Sequence, residues 1–482
     1  MTYDFLIIGS GITGASIARE LSKYNTKTIV LEKENDAANH ATSANSAIIH
    51  SGYDPDPNSL KAKLNVEGNR LYDALEKELD IPLYKNGAFM VAHDKDEEGL
   101  LERYLERAKT NGVPGVEILD QEKARKLEPN LADSITKVLN LPSTKVTYPW
   151  EVAIACLENA IDNGVTLKKN QTVNAIEKNN GIYTVKTTDG STYQTRYVIN
   201  AAGAYAEKIA KLVEKKLPYH ITPRKGEYLV LDRRVQGFLQ RTLYPTPDEK
   251  GKGILMVPQY HGNILIGPNS EHQTSLDDVS TTKGGLNVVK KGAILLAKNI
   301  PFHKNIRTFA GVRASSTHKD FYIQESHENA RFIHVAGIDS PGLTAAPAIA
   351  KYVLESIILP KDPLKRNDAF NPYRREIKLY DDMDKTEKDA AFSEDNRYGN
   401  LVCKCERITE GDIVRHIHRA IKGDSVKAIK KRSRAGAGIC QGGYCEHQII
   451  KILARELGKT PLEINYFADQ SPILKSETKV KK

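Results

Sequence analysis

Cysteine is scarce in this chain, five residues in 482, which excludes a disulfide-stapled scaffold. Also lacking is any apolar run near the ~20 residues that a bilayer-spanning helix requires. The opening run Phe5, Leu6, Ile7, Ile8 has no basic stretch before it and is too short for a secretory leader. There is no simple internal repeat, and charge of neither sign dominates. Lys plus Arg number 70 against 61 Asp plus Glu, a net +9, with 40% hydrophobic and 7% aromatic residues. Those proportions exclude a disordered or fibrous chain. A soluble protein of a reducing compartment, cytoplasmic, is the expectation, with peripheral contact on the inner face of a membrane left open. At about three times the ~150-residue norm, more than one domain is expected.

What is present begins with a short apolar strand over residues 3–8, then Gly9, Ser10, Gly11, Ile12, Thr13, Gly14. A helix-like pattern runs from Ile12 to Leu21, and Thr28 to Leu31 form the next strand, closed by Glu32. In GxGxxG the first glycine permits a tight turn. The second lets a pyrophosphate approach the backbone, and the third lets helix and sheet pack closely. Glu32, 18 residues after Gly14, is placed to bind ribose hydroxyls. A dinucleotide site follows, and FAD suits a fingerprint at the N-terminus whose other half comes late. Helical periodicity marks 60–79, about 95–110 and 150–162, while strands dominate 221–231, 254–258 and 263–267. The middle of the chain therefore reads as antiparallel and unlike its opening.

Chemistry beside such a cofactor calls for a group that can take a proton. His50, followed by Ser51 and Gly52, is the best candidate, since imidazole titrates near working pH; the plain alternative is a hydrogen-bonding loop histidine. Arg313, after Gly311 and Val312, offers a guanidinium fork for a carboxylate or phosphate. Lys252, between Gly251 and Gly253, could add a second positive charge or sit in a simple turn. Ser340 is a further polar candidate, and His318 and Lys319 are weaker ones.

Four of the five cysteines fall near the C-terminus. Cys403 and Cys405 precede Cys440 and Cys445 by 34 intervening residues. Two close thiolate pairs indicate a metal centre, either Zn²⁺ or an iron–sulfur cluster. Glycines 436, 438, 442 and 443 would let backbone amides turn toward the sulfurs. Cys156, on an apolar helix face, reads as core. Residues 401–482 hold 17 Lys plus Arg and nine Asp plus Glu, so nearly all the net charge sits here. A metal module whose basic field offsets its anionic thiolates and attracts an acidic partner explains that better than nucleic-acid binding, and no nucleic acid is expected.

Residues 1–360 resemble the glycine oxidase and D-amino-acid oxidase-like flavoproteins, close to the glycerol-3-phosphate and L-2-hydroxyglutarate oxidoreductases. The resemblance rests on the fingerprint, on Thr42 to Ser46 with His50 to Gly52, on Val198 to Gly203, on Gly311 to Arg313, and on Gly337 to Thr344. Residues 401–458 resemble the bacterioferritin-associated ferredoxin-like [2Fe–2S] domain, with CxxxxC replacing its usual final CxxC. The resemblance implies a Rossmann-like α/β FAD-binding domain, an inserted antiparallel α+β substrate domain and a small, mainly helical four-Cys domain. FAD-binding segments would lie at about 1–80, 145–220 and 305–360, and substrate segments at about 81–144 and 221–304. A linker over 361–400, the cluster domain over 401–458 and an extension over 459–482 would follow.

FAD would be held by Gly9, Gly11, Ile12, Thr13, Gly14, Glu32, Thr42, Ser43, Ser46, Val173, Ala202, Gly203, Gly337, Gly342, Leu343 and Thr344, and the cluster by Cys403, Cys405, Cys440 and Cys445. The activity implied is oxidation of glycerol 3-phosphate, with His50 catalytic and Arg313, Lys252 and Ser340 on the substrate. L-2-hydroxyglutarate or another 2-hydroxy acid is the alternative, and an iron–sulfur redox sensor that binds nucleic acid is the non-enzyme rival. Electrons would leave through the cluster to a partner protein or second flavoprotein subunit.

Overall fold

The computed structural model describes residues 2–247, 253–375, 377–468 and 470–478. Strand β1 (Thr2–Ile8) has its last four residues buried, as expected of a strand covered on both faces. Helix α1 (Ile12–Ser22) starts directly after the glycine turn, and β2 (Thr28–Leu31) is buried throughout. β1 pairs in parallel with β2 on one side and with Thr192–Asn200 on the other. The latter strand pairs in parallel with Phe332–Ala336, which carries the chain back from the second domain. A first eight-stranded sheet, among the described residues, is thereby assembled from three distant segments.

Helices Leu60–Leu79, Pro149–Asp162 and Gly342–Tyr352 pack with α1 against this sheet. Small residues make the close crossings possible: Ala15, Ala18, Ala153, Ala155, Ala345 and Ala346 are fully buried. At Gly68 a Cβ would lie 2.0 Å from the Thr344 carbonyl oxygen, so only glycine lets those two helices touch.

The second sheet has nine strands among the described residues. It takes Ala88–Ala92, Glu117–Asp120 and Lys137–Leu141 from one excursion of the chain, and Arg224–Leu231, Thr242–Pro245, Leu255–Pro258 and Ile264–Gly267 from another. It is antiparallel except where Thr242–Pro245 meets Ala88–Ala92 in parallel. Those two strands belong to different excursions, so no hairpin imposes their direction. The strand Asn305–Arg313 runs beside Arg224–Leu231 and returns the chain toward the first sheet.

Residues 361–375 lie along the first domain. Asn25 N–H donates to the Lys365 carbonyl, and the buried Arg374 reaches Glu158 at 2.9 Å and Glu151 at 2.7 Å. The C-terminal module follows as a two-stranded ladder and helices Glu410–Ile417, Val426–Ser433 and Glu446–Leu457 around Ile413, Ile417, Ile429, Ile449 and Leu453. Among the described residues no helix is long and apolar enough to cross a membrane.

Candidate active site and four-cysteine centre

Gly9 has φ +102°, and a Cβ on Gly14 would lie 2.0 Å from the Gly9 carbonyl oxygen. The glycines are therefore required by the turn itself. Glu32 closes the turn from below, its Oε2 accepting from Ser10 N–H at 2.8 Å and Ser10 Oγ–H at 2.6 Å. Thr42 Oγ1 accepts from Ile12 N–H at 3.0 Å and would stand 3.1 Å from a Cβ on Gly11. Thr13 and Ile12 are buried behind the turn, and the Ala201 carbonyl, beside Ala202 and Gly203, closes over Gly9. Val173 is buried in the core that also holds Leu6, Ile8, Ile29 and Leu31.

The residues present fit FAD. Gly11, the N-cap of α1, brings no side chain, and the first turn holds no acidic residue, so apart from the Ile12 N–H given to Thr42 the N-terminal dipole is open to a diphosphate. Asn35 Oδ1, Asn39 Nδ2 and Ser51 Oγ, in the segments that follow β2, are buried without protein partners. Such orphans are expected where a ligand completes the hydrogen bonding. Ser43 Oγ donates to the Asn39 and His40 carbonyls, and Ser46 Oγ contacts Tyr228 Oη at 3.3 Å.

His50 is held on every side that its backbone presents. Its N–H donates to Thr344 Oγ1 at 2.8 Å, and its carbonyl accepts from Asn65 Nδ2 at 3.3 Å and Asn69 Nδ2 at 3.0 Å. Thr344 thereby ties the far end of the predicted cofactor set to the predicted base. The imidazole Nδ1 lies 3.4 Å from Tyr244 Oη, with the two rings 6.0 Å apart and inclined by 26°. Burial pushes the Tyr244 phenol well above its ordinary range, so it stays a neutral partner. Sequence reasoning did not identify Tyr244, because the contact spans 194 residues.

Arg313 ends the strand Asn305–Arg313, and its Nη2 donates to the Asn269 carbonyl at 3.2 Å. Two glycines make its position possible. A Cβ on Gly226 would stand 2.6 Å from Arg313 Nη2, and one on Gly311 would stand 2.0 Å from the Ala44 carbonyl oxygen. The strand therefore lies directly on the 41–46 segment. Gly337 turns with φ +67° against Ser316, and the Leu343 carbonyl accepts from Tyr72 Oη at 2.8 Å. Ser340 precedes Pro341 and Gly342 at the start of the helix Gly342–Tyr352. His318 and Lys319 are exposed, and Lys252 lies outside the described residues. A recess of about 460 Å³ lined by Lys225, Glu227, His272, Asp278 and Thr282 contains none of the predicted residues, and Lys225 is already paired with Asp278 at 2.9 Å.

The four cysteines converge as two pairs. Cys405 Sγ and Cys440 Sγ are 3.8 Å apart. Cys403 and Cys445 share a thiol hydrogen bond that, with amides of Gly436 and Glu406, lowers the Cys403 thiol to about 6 against the effect of burial. Two sulfurs on one tetrahedral metal with bonds of about 2.3 Å stand about 3.8 Å apart. Among the described residues no three His, Cys, Asp or Glu side chains converge as on a single ion. Two pairs rather than one tetrad suit a dinuclear cluster, which these four thiolates would hold. Gly436 and Gly442, at φ +84° and +96°, aim amides at the sulfurs, and a Cβ on Gly438 would collide with Cys405 at 2.4 Å. Cys403 and Cys445 form the inner pair, 1% exposed, whereas Cys405 and Cys440 are partly exposed.

The pattern described as FAD dependent oxidoreductase matches residues 4–356. This chain belongs to that family. The BFD-like [2Fe–2S] binding domain pattern matches residues 401–455, so the cofactors are FAD and a [2Fe–2S] cluster. A glycerol 3-phosphate dehydrogenase of Caloramator mitchellensis is 43% identical over 477 residues, 99% of each chain. A glycerol 3-phosphate oxidase of Mycoplasma genitalium is 32% identical, over 77% of this chain and 98% of its own. The FAD-bound L-α-glycerophosphate oxidase from Mycoplasma pneumoniae superposes with TM-score 0.75 at 29% identity, covering 79% of this chain and all of that one. As a family member, the chain is an oxidoreductase acting on a CH–OH group, and its Rossmann-like core, inserted β-rich domain and cysteine-bearing helical module agree with the architecture expected from sequence.

Proposed function

We propose that this protein oxidises glycerol 3-phosphate to dihydroxyacetone phosphate and passes the electrons through its C-terminal cluster to a partner. The observation that carries the reading is the 43% identity, over 99% of both chains, to a glycerol 3-phosphate dehydrogenase. When bound, FAD supplies the hydride acceptor and the cluster a one-electron relay.

The chain's own residues do the rest. Gly9, Gly11 and Gly14 bring the start of α1, at Ile12 and Thr13, close to the diphosphate, with Thr42, Ser43 and Ser46 beside it and Glu32 toward the ribose. Val173 and Ala202–Gly203 serve the adenosine half, and Gly337, Gly342, Leu343 and Thr344 the flavin end. Arg313 grips the phosphate with two parallel N–H donors, seconded by Lys252, while Ser340 orients the substrate. His50 takes the C2 hydroxyl proton at its Nε2, the nitrogen that does not face Tyr244. Thr344, Asn65 and Asn69, by holding the His50 backbone, keep that nitrogen in place. Cys403, Cys405, Cys440 and Cys445 ligate the cluster, with the outer pair toward an acidic redox protein or second flavoprotein subunit.

The unit boundaries we propose are 1–360 for the flavoprotein body, with substrate segments at about 81–144 and 221–304, then 361–400 and 401–458. Work in the cytoplasm, in contact with a partner at the membrane face, suits this chemistry. Anaerobic addition of glycerol 3-phosphate should bleach the flavin absorbance and raise the electron paramagnetic resonance signal of a reduced [2Fe–2S] centre. His50→Asn should slow the bleaching ~10²–10⁴-fold while FAD stays bound. Faster reduction by L-2-hydroxyglutarate than by glycerol 3-phosphate would overturn the assignment.

A further inference from the structure

The segment from Glu32 to Thr42, which leaves β2 and returns to the glycine turn, is not held by the flavoprotein body alone. Asp36 lies in its middle with a side chain 1% exposed, and it faces two cations from the helix Val426–Ser433 of the cysteine module. Lys431 Nζ stands 2.6 Å from Asp36 Oδ2, and Arg432 grips both carboxylate oxygens at 3.0 and 2.7 Å. The Arg432 side chain is fully buried and that of Lys431 is 6% exposed. Lys431 does more than neutralise charge. It donates to the Ala37 carbonyl at 2.6 Å and to Asn39 Oδ1 at 2.9 Å, straddling Ala38. Ala38 has φ +58°, a left-handed conformation that a residue with a Cβ adopts only under strain. The lysine therefore braces a strained residue from both sides.

This grip is continuous with the cluster ligands. The Lys431 carbonyl accepts from Trp150 Nε1–H at 3.0 Å, which fixes the helix on the body. Arg434, at the helix C-terminus, donates to Tyr148 Oη at 2.9 Å and to Glu406, next to Cys405, at 2.8 Å. Gly436, two residues on, gives its amide to Cys403. Buried ion clusters of this kind add little net stability, yet removing one partner leaves buried charge poorly compensated. Their effect is geometric: the helix sits in one place, and the Asp36–Asn39 segment sits with it.

We propose that Lys431 and Arg432 are positioning residues of the FAD site, supplied by the cysteine module, so that cluster loading and FAD retention are coupled. The proposal rests on the reading of residues 32–46 as the FAD-binding segment. Coupling of this kind is reciprocal: whatever orders the cluster loop holds the segment around the cofactor, and FAD in turn favours the docked module.

The test uses full-length holoenzyme and follows FAD release as free-flavin fluorescence after dilution. Lys431→Met should release FAD on the order of tenfold faster, with Lys431→Arg restoring most of the difference. Wild type stripped of iron by an anaerobic chelator should show the same acceleration and lose hydrogen-exchange protection over residues 33–44. FAD release unchanged in both the variant and the stripped protein would overturn the coupling. Should Lys431→Met fail to fold, the stripped wild type decides alone: unchanged protection and release refute the proposal. Glu32→Ala in the same assay separates the two readings. If it leaves FAD release unaltered, the segment is not the FAD cradle, whereas failure of the Lys431 and iron arms alone rejects only the coupling.

Discussion

Replacing Gly14 by alanine is the most direct perturbation of the cofactor site. The added Cβ would sit 2.0 Å from the Gly9 carbonyl oxygen, where contacts under 3.0 Å are essentially never seen, so the gap must open by at least 1.0 Å. Both groups belong to the backbone, and no rotamer change can relieve the clash. Either α1 lifts from β1 or the turn widens, and overpacking of this sort costs ~1–3 kcal/mol. The strain falls on the amides that face the diphosphate, so FAD affinity should drop by ~10–100-fold, at ~1.4 kcal/mol per factor of ten. Gly11→Ala is the graded comparison. Its Cβ would meet the Thr42 hydroxyl at 3.1 Å, a side-chain atom that can turn aside, and the loss should be smaller. Fluorescence titration of apoprotein with FAD measures both, with the thermal midpoint of the apoproteins as control. Gly14→Ala binding FAD within about threefold of wild type, or ~0.6 kcal/mol, would refute the reasoning.

Other perturbations reach the remaining parts. Arg313→Lys keeps the charge but loses the fork, so kcat/KM for glycerol 3-phosphate should fall ~10²-fold while the slow reaction with uncharged glycerol changes little; equal losses would place Arg313 away from the phosphate. Cys440→Ser removes one of the outer ligands, and substrate should still bleach the flavin although the cluster signal is lost. Stability should fall in acid. Burial, followed by Arg434 and Arg233, holds the His261 imidazole at about 3 instead of 6.5. Between those values the unfolded chain carries a proton that the folded one refuses, so each pH unit of acidification costs up to ~1.4 kcal/mol, less whatever solvent screens. The thermal midpoint should decline from pH 6.5 to pH 4, and His261→Gln should flatten the decline; an unchanged slope would count against the assignment.

Local signals made much of this protein legible. The GxGxxG turn, Glu32 and the buried strands report themselves through spacing of fewer than 35 residues, because one backbone turn dictates them. The helices Leu60–Leu79, Lys95–Thr110 and Pro149–Asp162 coincide with the periodicity over 60–79, 95–110 and 150–162 for the same reason. That the four cysteines form one centre was equally plain, since thiolates that close in sequence have little use except on a metal or in a disulfide, although in space Cys405 pairs with Cys440 and Cys403 with Cys445. Less visible was why Gly226 and Gly311 are glycines. Each is explained by an atom from a distant segment, Arg313 in one case and Ala44 in the other.

The glycine fingerprint and the cysteine spacing determined by themselves a dinucleotide site near the N-terminus and a thiolate-bound centre near the C-terminus, for these features act through neighbours in sequence. The partition of the sulfurs into an inner and an outer pair, the Tyr244 contact to His50, and the grip of Lys431 and Arg432 on Asp36 were decided only by tertiary structure. Asp36 and Lys431 are 395 positions apart, and each alone reads as an ordinary surface charge. Burial changes that reading: out of water a carboxylate must find its cations, and where it finds them fixes how the two modules meet.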